Sequence, residues 1–460
     1  MGMSPDELSA GLARVCARAG LGVVSGEPQR LTGGAVMESW RFAAGSEAFV
    51  LRRAPSLAFM EGRPYGHAVE AALIEAARAR GVTAPEVVAV LEEADDLGSG
   101  FVMRALPGTA DPKVILGCDD PAGLLRQAAR DLARIHRLRQ ADVPEGVPVM
   151  DYRAALADLK AQFIAAGGDR PIIALGLKWL EDNVGVISHP QPLPQAGGEQ
   201  VVLNHGDYRM GNLLVEGSSL TGVLDWELAH FGDPHEDLAF GCMAVWRFAR
   251  YDRPALGLGS LADYFAAYEA ESGTKVDPAR FRFWTIYRTV WWALGCLKMA
   301  AQWRSGADRM LERVVISRRT SEQELDLLLL LEEDAPEAER ARPAHEWPST
   351  FPTAGEATQG EIALAVAEWL ETIKHRLDGH DRFQWAVARN ALGMIAREDT
   401  SFAMLAENDG LAEDILAGRK GLSTPKLLAE LRGLALMKLA VDIPKYPALD
   451  HARKKWTGEN

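Results

Sequence analysis

A chain of 460 residues, 48% hydrophobic and 25% charged, has the composition of a soluble globular protein and is too long for one ordinary core. Its formal charge of -14 argues against wholesale nucleic-acid binding, which needs a basic face to neutralise phosphates. No stretch approaches the ~20 apolar residues of a membrane span, the start "MGMSPDELSAGLARVC" has no signal-peptide pattern, and four scattered cysteines (Cys16, Cys118, Cys242, Cys296) suit a reducing cytoplasm rather than a zinc or disulfide framework.

Ser4-Pro5-Asp6-Glu7 is a capping box with proline at the first helical position, and predicts a helix to about Arg18. "PQRLTGGAVMESWRFAAGSEAFVLRR" then alternates strand-like runs with glycine. It predicts three antiparallel strands around Gln29 to Thr32, Glu38 to Phe42 and Ala48 to Arg52, with turns at Gly33-Gly34 and Gly45-Ser46. "HAVEAALIEAARARG" predicts a helix ending at Gly81. "APEVVAVLEE" and "GFVMRAL" read as two more strands. Residues 1–105 are thus a sheet with one main helix.

From Pro121 the apolar spacing turns helical, in "GLLRQAARDLARIHRL" and "PIIALGLKWLEDNV". "QVVLNHGD" and "TGVLDWE" are short strands. Helices dominate again to Glu332, so that 106–332 reads as a helical lobe. The stretch 333–354, rich in proline, alanine and charge without an apolar period, reads as a linker. After it, "GEIALAVAEWLETIKHRL", "DRFQWAVARNALGMIARED", "AEDILAGRKG" and "TPKLLAELRGLALMKLAV" predict a separate all-α domain over 355–460. A 1–340 fragment is expected to fold alone.

The polar residues of "LNHGDYRMGNLLV", Leu203 to Val215, sit at the end of a buried run, where they are costly unless used. Asp207 and Asn212 lie five residues apart on one loop, and Asp225 ends the next strand in "VLDWE". That pattern suits phosphoryl transfer. One carboxylate orients a hydroxyl and takes its proton, while an amide and a second carboxylate hold Mg²⁺ against a triphosphate. A lone Asp207 could equally cap its loop; Asn212, Asp225 and Asp237 in register point to chemistry instead.

These segments resemble the aminoglycoside phosphotransferase family, with its choline kinase-like relatives, which is itself related to protein kinases. "NHGDYRMGNLL" matches an H-G-D-x-x-x-x-N loop, "VLDWE" stands in for the kinase D-F-G, and "FGDPHEDLA" matches a G-D-P-x-x-D-L-A signature. The likeness runs over about residues 25–330 and implies an α+β, bilobal protein-kinase-like fold using ATP and Mg²⁺. It implies that 1–105 binds nucleotide and that 106–332 holds the catalytic loop and substrate site. By resemblance Asp207 is the base, Asn212 and Asp225 are the metal ligands, and Arg209 faces the transferred phosphate. Arg52 in "FVLRR" stands where kinases carry a phosphate-binding Lys, with Glu70 as its ion-pair partner. Gly33 and Gly34 take the place of the Gly-rich loop, although the full G-x-G-x-x-G is absent. Backbone groups near Met103 and Ala105 would meet adenine. His205 and Asp237 are expected to brace the loop. Glu227 is open between a place near the metal and the surface, and Trp284, Trp291, Trp292 and Trp303 between core and a ligand box.

Between Gly241 and Thr320 there are 13 Lys and Arg against 7 Asp and Glu, a local balance of +6. Such a field favours an anionic substrate, unless these residues lie on solvated helix faces. "FVLRRAP", "GHAVEAALIEAARARGVTAPEV" and "WWALGCLKMAAQWRSG" resemble the acyl-CoA dehydrogenase-associated branch of the family, whose members resemble 4-hydroxyacyl-CoA kinases. This implies a small-molecule hydroxyl substrate, anionic, of the CoA thioester type. The C-terminal segment resembles a small helical domain of unknown function, implying contact with a second copy or a partner enzyme. Two other readings stay open. One is a kinase for choline, sugars or aminoglycosides, and the other a pseudokinase scaffold.

Overall fold

The computed structural model describes residues 3–31, 37–54, 56–61, 63–188, 201–248, 250–345, 355–399, 410–442 and 445–457. The N-terminal sheet has five antiparallel strands in the order β1-β2-β3-β5-β4. They are β1 (Val24–Arg30), β2 (Glu38–Ala44), β3 (Glu47–Arg53), β4 (Val87–Val90) and β5 (Gly100–Arg104). β2 turns into β3 at Gly45-Ser46, where Gly45 has φ +58°, and the register runs from Ala44 opposite Glu47 to Glu38 opposite Arg53. The turns expected at Gly33 and Gly34 lie outside the described residues.

Strand periodicity divides the sheet between two helices. Phe49, Leu51 and Val102 face helix α1 (Pro5–Ala19) and bury Leu8, Leu12, Val15 and Cys16. The capping box at Ser4 and Glu7 is formed reciprocally, and Gly20 closes α1 in the left-handed conformation at φ +68°. Phe101 faces the other way, into a core with Ala71, Leu73, Ile74 and Ala77 of helix α2 (His67–Ala79). Arg52 pairs across the ladder with Phe101, so its side chain lies on the α2 side, toward Glu70.

Further along the chain come helices Pro121–Ile135 and Leu261–Ser272, which pack together, and two small two-stranded sheets, of which β7–β8 is a hairpin. β6 (Val202–Asn204) pairs with β9 (His230–Gly232), and β7 (Leu213–Glu216) pairs with β8 (Ser219–Val223). Helix Pro234–Phe240 follows β9 directly, with Asp233 as its cap accepting from the His235 N–H at 3.0 Å.

The chain gathers into two compact units, Met1–Met150 with Pro190–Phe281, and Asp151–His189 with Arg282–Asn460. The first contains the five-stranded sheet, both two-stranded sheets and all three motifs. These units run across the boundaries expected from sequence: the helical lobe of 106–332 is divided, and the helices after 355 do not form a unit of their own.

The physical reason is a buried charge network. Helix Thr320–Leu331 hides Glu322, Gln323, Glu324 and Asp326 together with its leucines. Buried charges need partners. Arg170 grips Glu324 with two bonds of 2.8 and 2.6 Å and also pairs with Glu356, which takes Lys438 Nζ at 2.8 Å. Glu332 accepts from Arg432 at 2.5 Å and from Trp456 Nε1 at 2.8 Å, and Asp326 from Tyr446 Oη at 2.6 Å. Arg432 and Lys438 stand on helix Leu427–Asp442 and Trp456 on Pro447–Thr457, a helix not expected from the sequence; Glu356 and Tyr446 lie just ahead of helices in the same part of the chain. The described part of the expected linker is also packed: the Ala344 and His345 N–H groups donate to the Trp456 and Ala429 carbonyls at 3.0 Å each.

Candidate active site

The loop that carries Asp207 and Asn212 runs from β6 into β7. Gly206 has φ +82°, and a Cβ there would lie 2.3 Å from the Leu228 carbonyl oxygen, so only glycine fits. Gly206→Ala is expected to destabilise the first unit by about 2–4 kcal/mol, from strain and overpacking, and to remove activity; thermal melting and turnover check both.

Two braces hold the loop backbone. Asp237, on helix Pro234–Phe240, accepts from the His205 N–H at 2.5 Å and the Gly206 N–H at 2.8 Å, with His136 Nε2 at 3.3 Å. Burial alone would raise this carboxyl; the hydrogen bond and charge of His136 and the N–H donors outweigh it and hold the group below its ordinary value. His205 is fully buried, with Nε2 3.1 Å from the Leu224 carbonyl and Nδ1 3.3 Å from the Asp207 N–H. A neutral ring protonated on Nε2 satisfies both contacts, and burial lowers its pKa and keeps it neutral. His205 thus ties the residue before Asp225 to Asp207 itself.

The Asp207 carboxylate accepts from Arg209 Nε at 2.8 Å and from Asn212 Nδ2 at 2.6 Å. The Arg209 guanidinium lies over Trp246, 4.5 Å from the ring centroid, a cation–π contact that fixes its direction. Burial, reinforced by the charge of Asp225, raises Asp207 to about 6, against the pull of Arg209 and Asn212. A general base must be ionised. The expected pH profile of kcat/KM therefore falls about tenfold per unit below pH ~6 and levels off above pH ~7. A rate that stays flat down to pH 4 would remove Asp207 from the role of base.

Asn212 and Asp225 come together because they end paired strands. Leu213 lies opposite Val223, and the Leu224 N–H donates to the Asn212 carbonyl at 2.8 Å. Asp225 has φ +67°, a conformation uncommon for a residue with a side chain. Arg52 Nη2 meets Asp225 at 2.5 Å and Glu227 at 2.8 Å, while its Nε pairs with Glu70 at 3.3 Å. The expected Arg52–Glu70 pair is therefore present, and Arg52 reaches further, to both carboxylates beyond β8. Burial raises Glu70 to about 7 despite Arg52. For Arg52 burial acts downward, but Asp225, Glu70 and Glu227 together raise it and keep it charged.

Some residues at this site carried no motif in the sequence. Glu227 belongs to the cluster rather than the surface, and Arg63 Nη1 also bonds to it, at 2.9 Å. Arg63, Tyr65 and Trp246 sit in loops or short turns, and only their bonds single them out. The Ala105 N–H donates to the Ala48 carbonyl at 2.9 Å and is committed to the sheet. Met103 pairs with Val50 on one side and Val87 on the other, in the ladder interior. Gly33 and Gly34 lie outside the described residues. Trp284 and Trp303 are buried core.

Asn212 and Asp225 offer the oxygen donors that suit Mg²⁺, which takes one or two carboxylates and completes its shell with waters and phosphates. Among the described residues no group of three or more His, Cys, Asp or Glu could hold a metal by itself. The donor set fits an ion shared with a nucleotide. Arg52 and Arg63 supply cations beside it.

Much of the basic balance after Gly241 is neutralised internally. Arg280 pairs with Asp233, Arg282 with Asp334, Arg304 with Glu361, Arg309 with Glu368 and Arg319 with Glu322. Arg247 differs: its guanidinium lies over Tyr251 at 5.2 Å, and its Nε donates to the Cys242 carbonyl at 3.0 Å.

A five-stranded antiparallel sheet between two helices, followed by a helical part that carries Asp207 on the loop from β6 to β7 and Asn212 and Asp225 at the ends of the β7–β8 hairpin, defines a kinase-like phosphotransferase fold. The profile of the phosphotransferase enzyme family (APH) matches residues 27–284, and the chain belongs to that family. It is 28% identical over 240 residues to acyl-CoA dehydrogenase family member 10 of Mus musculus, covering 48% of this chain and 21% of that protein. It is 28% identical over 239 residues to acyl-CoA dehydrogenase family member 11 of Gallus gallus, covering 50% of this chain and 29% of that one. The matches thus span less than a third of those relatives. The crystal structure of a Ralstonia eutropha protein assigned as an aminoglycoside phosphotransferase aligns with TM-score 0.53 and 19% identity, over 70% of this chain and 98% of that one. No helix among the described residues is long and apolar enough to cross a membrane.

Proposed function

We propose that the protein is an ATP- and Mg²⁺-dependent kinase that phosphorylates a hydroxyl group, and that its acceptor is a hydroxyacyl-CoA or a related anionic hydroxy compound. The observation that carries the kinase reading is the Asp207 carboxylate held between Arg209 and Asn212, beside Asp225 and Arg52. Asp207, poised near neutrality, takes the proton of the acceptor hydroxyl. Asn212 orients it, and Arg209, steered by Trp246, offers positive charge next to the attacking oxygen. Asn212 and Asp225 would hold Mg²⁺, which when bound neutralises phosphate charge. Arg52 and Arg63 direct further charge to the same end of the site.

The acceptor is supported by the relatives, both named as acyl-CoA dehydrogenase family members. The general field argument is weak, since many of the arginines after Gly241 are paired. Arg247 is a basic side chain in that stretch held by a ring and a carbonyl, and it suits an acceptor anion.

The test is ATP consumption by purified protein with Mg²⁺. The panel holds 4-hydroxyacyl-CoA thioesters, free hydroxy acids, choline, sugars and kanamycin. Turnover confined to the thioesters supports the acceptor. Turnover with an amine or sugar alone keeps the kinase and discards the acyl-CoA reading. Absence of both turnover and Mg-ATP binding makes the protein a scaffold.

A further inference from the structure

Just ahead of α2, Arg63 and Tyr65 reach the strand end that carries Asp225. The Tyr65 hydroxyl donates to the Trp226 carbonyl at 2.5 Å, and Arg63 Nη1 donates to the Glu227 carboxylate at 2.9 Å. Both contacts fall immediately after Asp225. On the other side, the Leu224 N–H is bonded to Asn212 and the Leu224 carbonyl faces His205 Nε2.

The turn itself is closed locally. Trp226 is fully buried, its Nε1 donates to the Val223 carbonyl at 3.1 Å, and its own carbonyl also accepts the Ala229 N–H at 3.1 Å. At the centre stands Asp225 with φ +67°. A residue with a side chain keeps that conformation only where its surroundings impose it. Arg63 and Tyr65 bond to the carboxylate and carbonyl that follow Asp225, whereas Asp225's own carboxylate is met by Arg52. Their role is therefore on the shape of the turn.

We propose that Arg63 and Tyr65 are positioning residues that lock the Asp225-Trp226-Glu227 turn in the left-handed conformation presenting the Asp225 carboxylate to a metal ion. The lock stands on geometry alone; what the carboxylate is presented to rests on the phosphotransferase reading.

Hydrogen exchange on the full chain tests the lock. Tyr65→Phe, which removes one hydroxyl, and Arg63→Met are each expected to speed amide exchange in residues 224–230 by about fivefold, leaving the sheet unchanged. Mn²⁺ titration in the presence of AMP-PNP tests the consequence. Mn²⁺ affinity should fall about tenfold in either variant; in Tyr65→Phe, which removes no charge, AMP-PNP affinity in EDTA should stay level, and Arg63→Lys should recover most of the Mn²⁺ loss of Arg63→Met. Unchanged exchange in both variants overturns the lock. Faster exchange with undiminished Mn²⁺ affinity reduces it to a structural contact and overturns the positioning role. If the wild-type protein binds no Mn²⁺ with AMP-PNP yet the variants still exchange faster, the lock survives and the phosphotransferase reading fails.

Discussion

Replacing Asp207 with Asn is expected to lower kcat by about 10³–10⁴-fold while leaving the protein folded. The two halves of this result have separate causes. The carboxylate is bonded to Arg209 and Asn212, side chains of its own loop, so an isosteric amide disturbs little outside the loop. The loop backbone is held from elsewhere, by Asp237 on the His205 and Gly206 N–H groups and by His205 on Leu224. Asp225→Asn should behave differently. On the proposed metal role it weakens Mg²⁺ binding as well as loosening Arg52, so excess Mg²⁺ should restore part of the rate. Full turnover by purified Asp225→Ala at low Mg²⁺ would sink the metal assignment. Asp237→Ala is the structural control, because it strips two buried N–H groups of their acceptor and should cost activity and melting temperature together.

The second large effect concerns the C-terminal helices. Ending the chain at Arg340 is expected to yield an insoluble or molten second unit. The cut leaves Arg170 without Glu356, Glu332 without Arg432 and Trp456, and Asp326 without Tyr446, all buried. A fragment that melts cooperatively with native-like near-ultraviolet dichroism would instead restore the independent domain expected from sequence. A milder probe is Arg170→Met in the full chain. Removing one member of a buried ion pair costs about 3–5 kcal/mol, because the remaining carboxylates lose their partner.

Acid provides a third probe of that network. Burial would raise Glu356, but Arg170 and Lys438 hold it down at about 2. An unfolded Glu titrates near ~4.3. A depressed folded value contributes stability that is complete above the unfolded value and is lost as pH falls through the folded one. The loss should run from about pH 5 to pH 2 and amount to roughly 3 kcal/mol. In Glu356→Gln that part of the acid slope should disappear in denaturant melts taken at successive pH values.

The sequence by itself determined whatever depends on neighbours along the chain. The capping box at Ser4 sets the start of α1, glycine at Gly45 turns β2 into β3, and the five-residue step from Asp207 to Asn212 closes a loop whose ends need only a short hairpin to meet Asp225. Tertiary structure decided the rest. Arg63 meets Glu227 across 164 positions and Arg52 meets it across 175, and no local periodicity announces either contact. The same holds for helix Thr320–Leu331. Its acidic residues look solvent-facing to a reader of local pattern, and are interior with partners brought to them: Arg319 pairs with Glu322, Arg170 with Glu324, and the Tyr446 hydroxyl donates to Asp326. Caps and turns are short-range hydrogen bonds, satisfied within a few residues. A buried charge is tolerated only with its partner in place, and where that partner stands is a property of the folded chain.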